Sequence, residues 1–404
     1  MKRGSALNRA LDFCIGIPVL NLLARFRRPN KYPVDPRRIG LLFNPALGDT
    51  LLASAATQDI RALFPKAKLV LFAANSNVSA AFLLPAVDTI VVLPIANALK
   101  SIRILRQSKL DLMLDFTAWQ RLTAMYSLLS GARYTVGFER KQQHRHRGYD
   151  RSVPHLGDCH ELENIRRFTR CIGSQATHEP RLAVPGGPLP QSVFKGRRVV
   201  VFHAWASGSQ RWLREWPVES WARLARRLMA PDRAFLLTGS PSDEDRCDAL
   251  RRRLVAEGIP TEVLVGRDGL EEIARALMHA EVLVSVNTGI MHLGAILGVP
   301  TVSINGPTSS RRWGPVGPRV TNVCPADGSG GFLDLGFEFR GHSTNTMELV
   351  LVEDVLLAIR TLCSTDDDRE SVTNHPERAP ASLRENEESM FPAPAVLLRS
   401  GRGA

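Results

Sequence analysis

Short apolar runs alternate with helix-patterned stretches along most of this 404-residue chain. The runs near 39–43, 69–73, 89–93, 110–116 and 134–138 are apolar on both faces, which a strand tolerates only when both sides of its sheet are covered. Helical patterns fall between them, as at 50–63 and 119–129. After a stretch rich in Pro and Gly the alternation restarts, with runs at 199–203, 234–238, 261–265, 282–286 and 301–305. Helices are expected over 218–229, 243–254, 270–279 and 290–297, and a closing one near 350–362. This predicts an α/β protein of two doubly wound, Rossmann-like domains whose carboxyl edges face each other across a cleft. The expected boundaries are 36–180 for the first domain, 181–197 for the linker and 198–363 for the second.

The two ends read differently. Residues 13–24, FCIGIPVLNLLA, are too short to span a bilayer, which takes about 20 apolar residues. A signal peptide would need a small-residue cleavage site that Leu23-Ala24-Arg25-Phe26 does not offer. Two readings stay open for segment 1–35: a helix lying in a membrane interface, or one packed on the first domain. Residues 364–404, acidic at Asp366–Asp368 and punctuated by prolines, read as a disordered tail.

Charge narrows the function class. The net charge is +12, but the first 40 residues hold nine basic side chains against Asp12 and Asp35. The basic excess therefore belongs to the first segment, and with aromatics at 6% a nucleic-acid-binding face is not expected. The six cysteines are scattered without a C-x-x-C pair, so neither a zinc site nor a disulfide framework is expected, and a reducing cytoplasmic setting fits.

Three strand-to-helix turns carry candidate chemistry. In Asn44-Pro45-Ala46-Leu47-Gly48-Asp49-Thr50, Asp49 stands where a carboxyl edge opens. It reads either as a helix cap or as a base able to take a proton from a hydroxyl. After His203 comes a loop carrying Ser207, Gly208, Ser209, Gln210, Arg211 and Arg214, and arginines there suit an anionic ligand. The third turn, Asn287-Thr288-Gly289-Ile290-Met291-His292, opens a helix whose free N–H groups and dipole favour an anion. Asn305-Gly306-Pro307-Thr308 leaves the neighbouring strand in the same way. Asp243-Glu244-Asp245 matches a D-x-D metal pattern, yet it opens a helix, where acids favour the dipole; Asp366–Asp368 also matches but sits in the expected tail, and neither is taken as a metal site. Lys141-Gln142-Gln143-His144-Arg145-His146-Arg147 reads as a solvated surface.

The order of these motifs resembles a known family. Gly48-Asp49-Thr50, Arg214-Glu215-Trp216-Pro217, the T-G-S-P turn at 238–241, S-V-N-T-G-I-M-H at 285–292 and Gly306-Pro307-Thr308 are similar to the heptosyltransferases of glycosyltransferase family 9, over about 38–360. The resemblance implies a GT-B fold and inverting, metal-independent transfer without a cofactor. The implied donor is a nucleotide sugar of the ADP-heptose kind. The implied acceptor is an anionic glycolipid of the lipopolysaccharide core or another envelope saccharide, reached at the inner-membrane surface from the cytoplasmic side. It implies Asp49 as general base. It implies donor contacts from Ser207, Arg214, Glu244, Asn287, Thr288, Gly289 and His292, with Glu244 near the ribose. Three positions depart from the family pattern: Asn287 replaces an aspartate, Trp205 stands where glycine is usual, and Arg214 replaces a lysine. Segment 331–340 looks specific to a subgroup. A catalytically silent nucleotide-sugar binder and a GT-B epimerase are the alternatives.

Overall fold

The computed structural model describes residues 12–27, 30–44, 46–187, 196–208, 211–266, 269–333, 345–373 and 395–396. The chain divides between Pro185 and Gly186 into two compact units, with residues 395–396 joining the first. The expected linker is described over 181–187 and 196–197; residues 188–195 lie outside the described set.

The first unit holds a parallel sheet of β1 (Arg38–Phe43), β2 (Lys68–Ala73), β3 (Thr89–Val92), β4 (Leu112–Asp115), β5 (Tyr134–Glu139) and β6 (Arg151–Pro154), in the order β3-β2-β1-β4-β5-β6. A two-residue strand Ala395–Val396 extends it beyond β3. Strand order reverses between β1 and β4, whose register sets Leu42 against Asp115. The predicted helix over 50–63 is two helices, Leu47–Leu52 and Ser54–Leu63. Sequence periodicity did not signal β6, a short edge strand ending in proline.

The second unit repeats the plan with β7 (Arg198–His203), β8 (Arg233–Thr238), β9 (Thr261–Leu264), β10 (Val282–Val286), β11 (Thr301–Ile304) and β12 (Val320–Val323), ordered β9-β8-β7-β10-β11-β12 and parallel throughout. Its reversal lies between β7 and β10. The closing helix runs from Val352 to Thr373, past its expected end at 362 and into the segment expected as a tail. The remaining tail expectation, for 374–394 and 397–404, lies outside the described residues.

One polar knot ties the first sheet to its helices. Arg145 and Asp115 are both fully buried, with the guanidinium 3.1 Å from Asp115 Oδ2. Arg145 also donates to the Phe138 carbonyl at 3.1 Å, to Thr123 Oγ1 at 3.1 Å, and to the carbonyls of Gln120 and Thr117. Tyr149 donates its hydroxyl to the same Asp115 oxygen at 2.7 Å, and burial holds its pKa well above the usual value. Tyr149 fits because Gly137 lacks a side chain: a Cβ there would meet the ring at 2.1 Å. The run 141–147 is thus not wholly solvated. A guanidinium with this many fixed acceptors can leave water, and nothing in a basic run singles that residue out.

The helix Gly16–Ala24 packs on the first unit through Gly16 and Leu20, beside Ala124 and Tyr149. Of the basic residues in segment 1–35, Lys2, Arg3, Arg9 and Arg28 lie outside the described residues. No helix among the described residues is long and apolar enough to cross a membrane.

Asp115→Asn should destabilise the protein by about 3–5 kcal/mol, because it leaves the buried Arg145 charge without its counter-charge. Chemical denaturation checks this. A loss below 1 kcal/mol, roughly the worth of an exposed pair, would place Arg145 in contact with water.

Candidate functional site

Ligands of doubly wound sheets bind outside the carboxyl ends of the strands where strand order reverses, since only there do neighbouring loops diverge. Each unit presents such a point. The predicted residues fall at or near them.

In the first unit the turn after β1 runs into the helix Leu47–Leu52. Asp49 Oδ2 accepts the Ala46 N–H at 3.0 Å, so the carboxylate satisfies one of the helix's unpaired amide groups. The capping reading therefore holds. It is compatible with a base, because a carboxylate can accept several hydrogen bonds at once and Asp49 is only partly buried. The turn is held firmly from behind. Asn77, fully buried, donates to Thr50 Oγ1 at 2.9 Å and to the Phe43 carbonyl at 3.3 Å, and takes the Ala74 N–H at 2.9 Å. Asn44 donates to Gln120 Oε1 at 2.6 Å, tying the β1 exit to the β4 exit across the reversal.

In the second unit His203 and Ser285 stand in register at the ends of β7 and β10. His203 is buried and contacts Thr238 Oγ1 through Nδ1 at 3.0 Å; burial lowers its pKa to about 4. It is neutral at pH 7 and serves as a hydrogen-bonded wall. The loop beyond it turns on Glu215, whose carboxylate accepts the Ala206 N–H at 3.2 Å and two bonds from Arg246 at 3.0 and 2.5 Å. Arg214, at the end of a short helical turn, donates to the carbonyl of Ser207, and partial burial lowers its pKa. Ser207 itself is exposed, and Ser209 and Gln210 lie outside the described residues.

Trp205, the large ring in place of glycine, turns inward. It is 5% exposed, donates Nε1–H to Cys247 Sγ at 3.0 Å, and carries the Arg246 guanidinium 4.1 Å from its ring centre. Gly239 lies alongside, where a Cβ would press on Asp243 at 3.0 Å and on Cys247 at 3.1 Å. The departure is thus absorbed by the core.

The third turn shows what an asparagine at position 287 does that the aspartate implied by the family resemblance could not. Its amide nitrogen donates to the Trp313 carbonyl at 2.9 Å and to Asn305 Oδ1 at 2.7 Å. Asn305 in turn donates to the Ser303 carbonyl at 3.1 Å and to Asn322 Oδ1 at 2.9 Å. An aspartate could not donate to these acceptors. The chain of asparagines thus links the ends of β10, β11 and β12, and sequence reasoning could not see it because its members are far apart along the chain. Next to it, Thr288 caps the helix Gly289–Ile296; its hydroxyl oxygen is buried with no hydrogen-bond partner among the described residues. A buried hydroxyl left without a partner costs about 1–3 kcal/mol, and this one lies beside the first amides of the helix. Gly289 begins the helix and His292 lies buried one turn in. Beyond β11, Gly331 N–H reaches the Gly306 carbonyl at 2.9 Å and Leu333 N–H the Pro307 carbonyl at 2.8 Å. The rest of the subgroup segment, 334–340, lies outside the described residues.

Glu244 stands apart from this turn. It lines a groove of about 480 Å³ that runs along the edge strand β9 from Thr261 to Gly266, with Asp248, Arg251 and Glu272 on its other side. Its neighbour Asp243 caps its own turn, taking the Ser240 N–H at 3.1 Å and the Ser240 hydroxyl at 2.5 Å. That is the local, dipole-complementing use expected of the D-x-D run.

Comparison with known proteins agrees with this geometry. The model of glycosyltransferase family 9 (heptosyltransferase) matches residues 99–329, more than half of the chain. Lipopolysaccharide heptosyltransferase 1 of Escherichia coli is 35% identical over 117 residues, 29% of this chain and 34% of that protein. The enzyme of the same name from Pseudomonas aeruginosa is 28% identical over 175 residues, 40% of this chain and 44% of that protein. The matched stretch thus spans between a third and a half of the length of these relatives. Among solved structures, Escherichia coli ADP-heptose lps heptosyltransferase II superposes with a TM-score of 0.68 at 18% identity, covering 82% of this chain and 99% of that one. A family 9 glycosyl transferase from Veillonella parvula gives 0.67 at 16% identity, covering 84% and 100%. Those likenesses show a shared fold, the two-unit α/β architecture of GT-B glycosyltransferases. With the family match, they make this chain a member of glycosyltransferase family 9, the heptosyltransferases.

Proposed function

We propose that the chain is an inverting, metal-independent glycosyltransferase that moves a sugar, heptose first among candidates, from a nucleotide-sugar donor of the ADP-heptose type. The acceptor is a hydroxyl of a lipopolysaccharide-core or related envelope glycolipid, met at the cytoplasmic face of the inner membrane. The observation that carries the reading is the buried, unpartnered Thr288 hydroxyl at the mouth of an eight-residue helix in a family 9 chain. A donor diphosphate supplies what that hydroxyl lacks, an acceptor oxygen, in the place where the helix dipole favours negative charge.

The units divide the work. In the second, Thr288, the first amides of the Gly289 helix and Arg214 hold the diphosphate. Ser207 and His292 shape the walls around it, and Asn287 positions the turn. The groove beside Glu244 receives the nucleoside. Its carboxylates accept hydrogen bonds from ribose hydroxyls. In the first unit Asp49 takes the proton from the acceptor hydroxyl as its oxygen bonds to the anomeric carbon. The bond to the diphosphate breaks on the opposite face, so configuration inverts. Charge grows on the leaving diphosphate, and fixed donors there stabilise it without a metal ion.

Asp49→Asn is the sharpest test, since an amide oxygen still accepts the Ala46 N–H while the base is lost. Turnover should fall by about 10²–10⁴-fold, with donor affinity nearly unchanged in calorimetry. Wild-type turnover would remove Asp49 from the chemistry. Arg214→Ala should weaken donor binding by about 10–100-fold, the worth of a hydrogen bond to a charged group; affinity equal to wild type would remove it from the donor site. Restoring the family residue with Asn287→Asp should lower the melting temperature and weaken donor binding, because the Trp313 carbonyl and Asn305 Oδ1 lose their donors at about 1–3 kcal/mol. A variant as stable as wild type would show that the asparagine chain is dispensable.

A further inference from the structure

The helix Gly16–Ala24 is fastened to the first unit at both ends and in the middle. At its front Asp12 pairs with the buried Arg121 at 2.6 Å, and at its back Arg27 pairs with the buried Asp150 at 2.6 Å. Between them Gly16 and Leu20 are buried against Ala124 and Tyr149. These contacts fix the helix's rotation, and with it what faces outward. The outward residues are Ile15, Val19, Leu22 and Phe26, spaced four, three and four apart, the interval that lines up side chains on one helical face. They are 55%, 36%, 55% and 79% exposed, and Phe13 adds a further ring at 59%. A helix that already buries one face has no structural need for a second apolar stripe in water.

Charge identifies what covers it. Arg25 and Lys31 flank the stripe and are exposed. The first 40 residues hold nine basic side chains, of which Arg27 is paired with Asp150, against two acidic ones, Asp12, paired with Arg121, and Asp35. Apolar side chains bordered by cations match the boundary of an anionic phospholipid leaflet, with rings and aliphatic groups below the headgroups and Arg and Lys among the phosphates. We infer that this helix is an interfacial anchor that seats the first unit on an anionic lipid surface. Its inner face is the protein's, and its outer face is the membrane's. The inference goes beyond the proposed transfer reaction and stands on the helix alone.

Co-sedimentation of the full chain with phosphatidylcholine vesicles, with and without phosphatidylglycerol, tests it without any donor or acceptor. The protein should pellet with the anionic vesicles, several-fold less with the neutral ones, and less as salt rises. The double substitution Val19→Asp, Leu22→Asp should cut vesicle binding by about tenfold or more while leaving the melting temperature and donor binding unchanged. If that variant misfolds, Leu22→Ser read in the same way replaces it. Wild type remaining in the supernatant, or a folded variant that pellets like wild type, overturns the inference. So does a concentration-dependent dimer that the substitutions break in the absence of vesicle binding, which would give the stripe to a second copy. Because donor binding is read separately, loss of lipid binding and failure of the transferase reading cannot be confused.

Discussion

A parallel sheet covered on both faces keeps its backbone and apolar side chains out of reach of any ligand except at the carboxyl edge, and at that edge loops separate only where strand order reverses. Both sheets of this protein obey the constraint, with β1 against β4 in one and β7 against β10 in the other. Nearly every functional candidate sits on a loop leaving one of these four strands. The exception is Glu244, one strand further out, and its groove has the different polarity that a hydroxyl-rich group requires. Chemistry here is placed by topology first and by residue type second.

On the proposed function, holding a diphosphate without a cation places a demand on the second unit. Its donors must be aimed before the ligand arrives, because reorganising them during reaction would forfeit the stabilisation they offer. The structure meets this by rigidity. Glu215 fastens the Arg214 loop through Arg246 and the Ala206 amide, and the Asn287–Asn305–Asn322 chain fastens the Thr288 turn. The loss of a carboxylate at position 287 fits the same logic. An aspartate beside a diphosphate adds repulsion, whereas an asparagine supplies two donors that lock three strand ends together. His203, kept neutral by burial, adds a wall without a charge that would change near physiological pH.

Much of this was legible in the sequence, and the parts that were not share a cause. Strands apolar on both faces announced two covered parallel sheets, and the turns after 43, 203 and 286 announced themselves by small, polar or cap-forming residues at strand exits. What escaped was decided at long range. Arg145 looks like any member of a basic run, yet Asp115 and Tyr149 take it into the core from 30 positions before it and four after it. Trp205 looks like an obstruction in a ligand loop, and only its burial and its hydrogen bond to Cys247, 42 positions later, show that it points inward. The strands β6 and β12 lacked the two-sided apolar pattern because each buries a single side chain, Val153 in one and Val323 in the other.

The first segment shows why composition alone could not choose between packing and membrane contact. Both readings predict an apolar helix among basic residues, and they differ only in how many faces are satisfied by protein. The ion pairs Asp12–Arg121 and Arg27–Asp150 answer that question by fixing rotation: Leu20 goes in, and Ile15, Val19, Leu22 and Phe26 go out. A short helix held this way differs from a free amphipathic segment in one physical respect. Its ordering cost is met by the fold and not by the lipid, so a modest apolar area and a few cations suffice for reversible attachment, and the attached unit keeps a defined orientation to the surface. If the acceptor is the lipid-anchored saccharide proposed above, orientation is worth more than tight adhesion, because it limits the search for the acceptor hydroxyl to two dimensions.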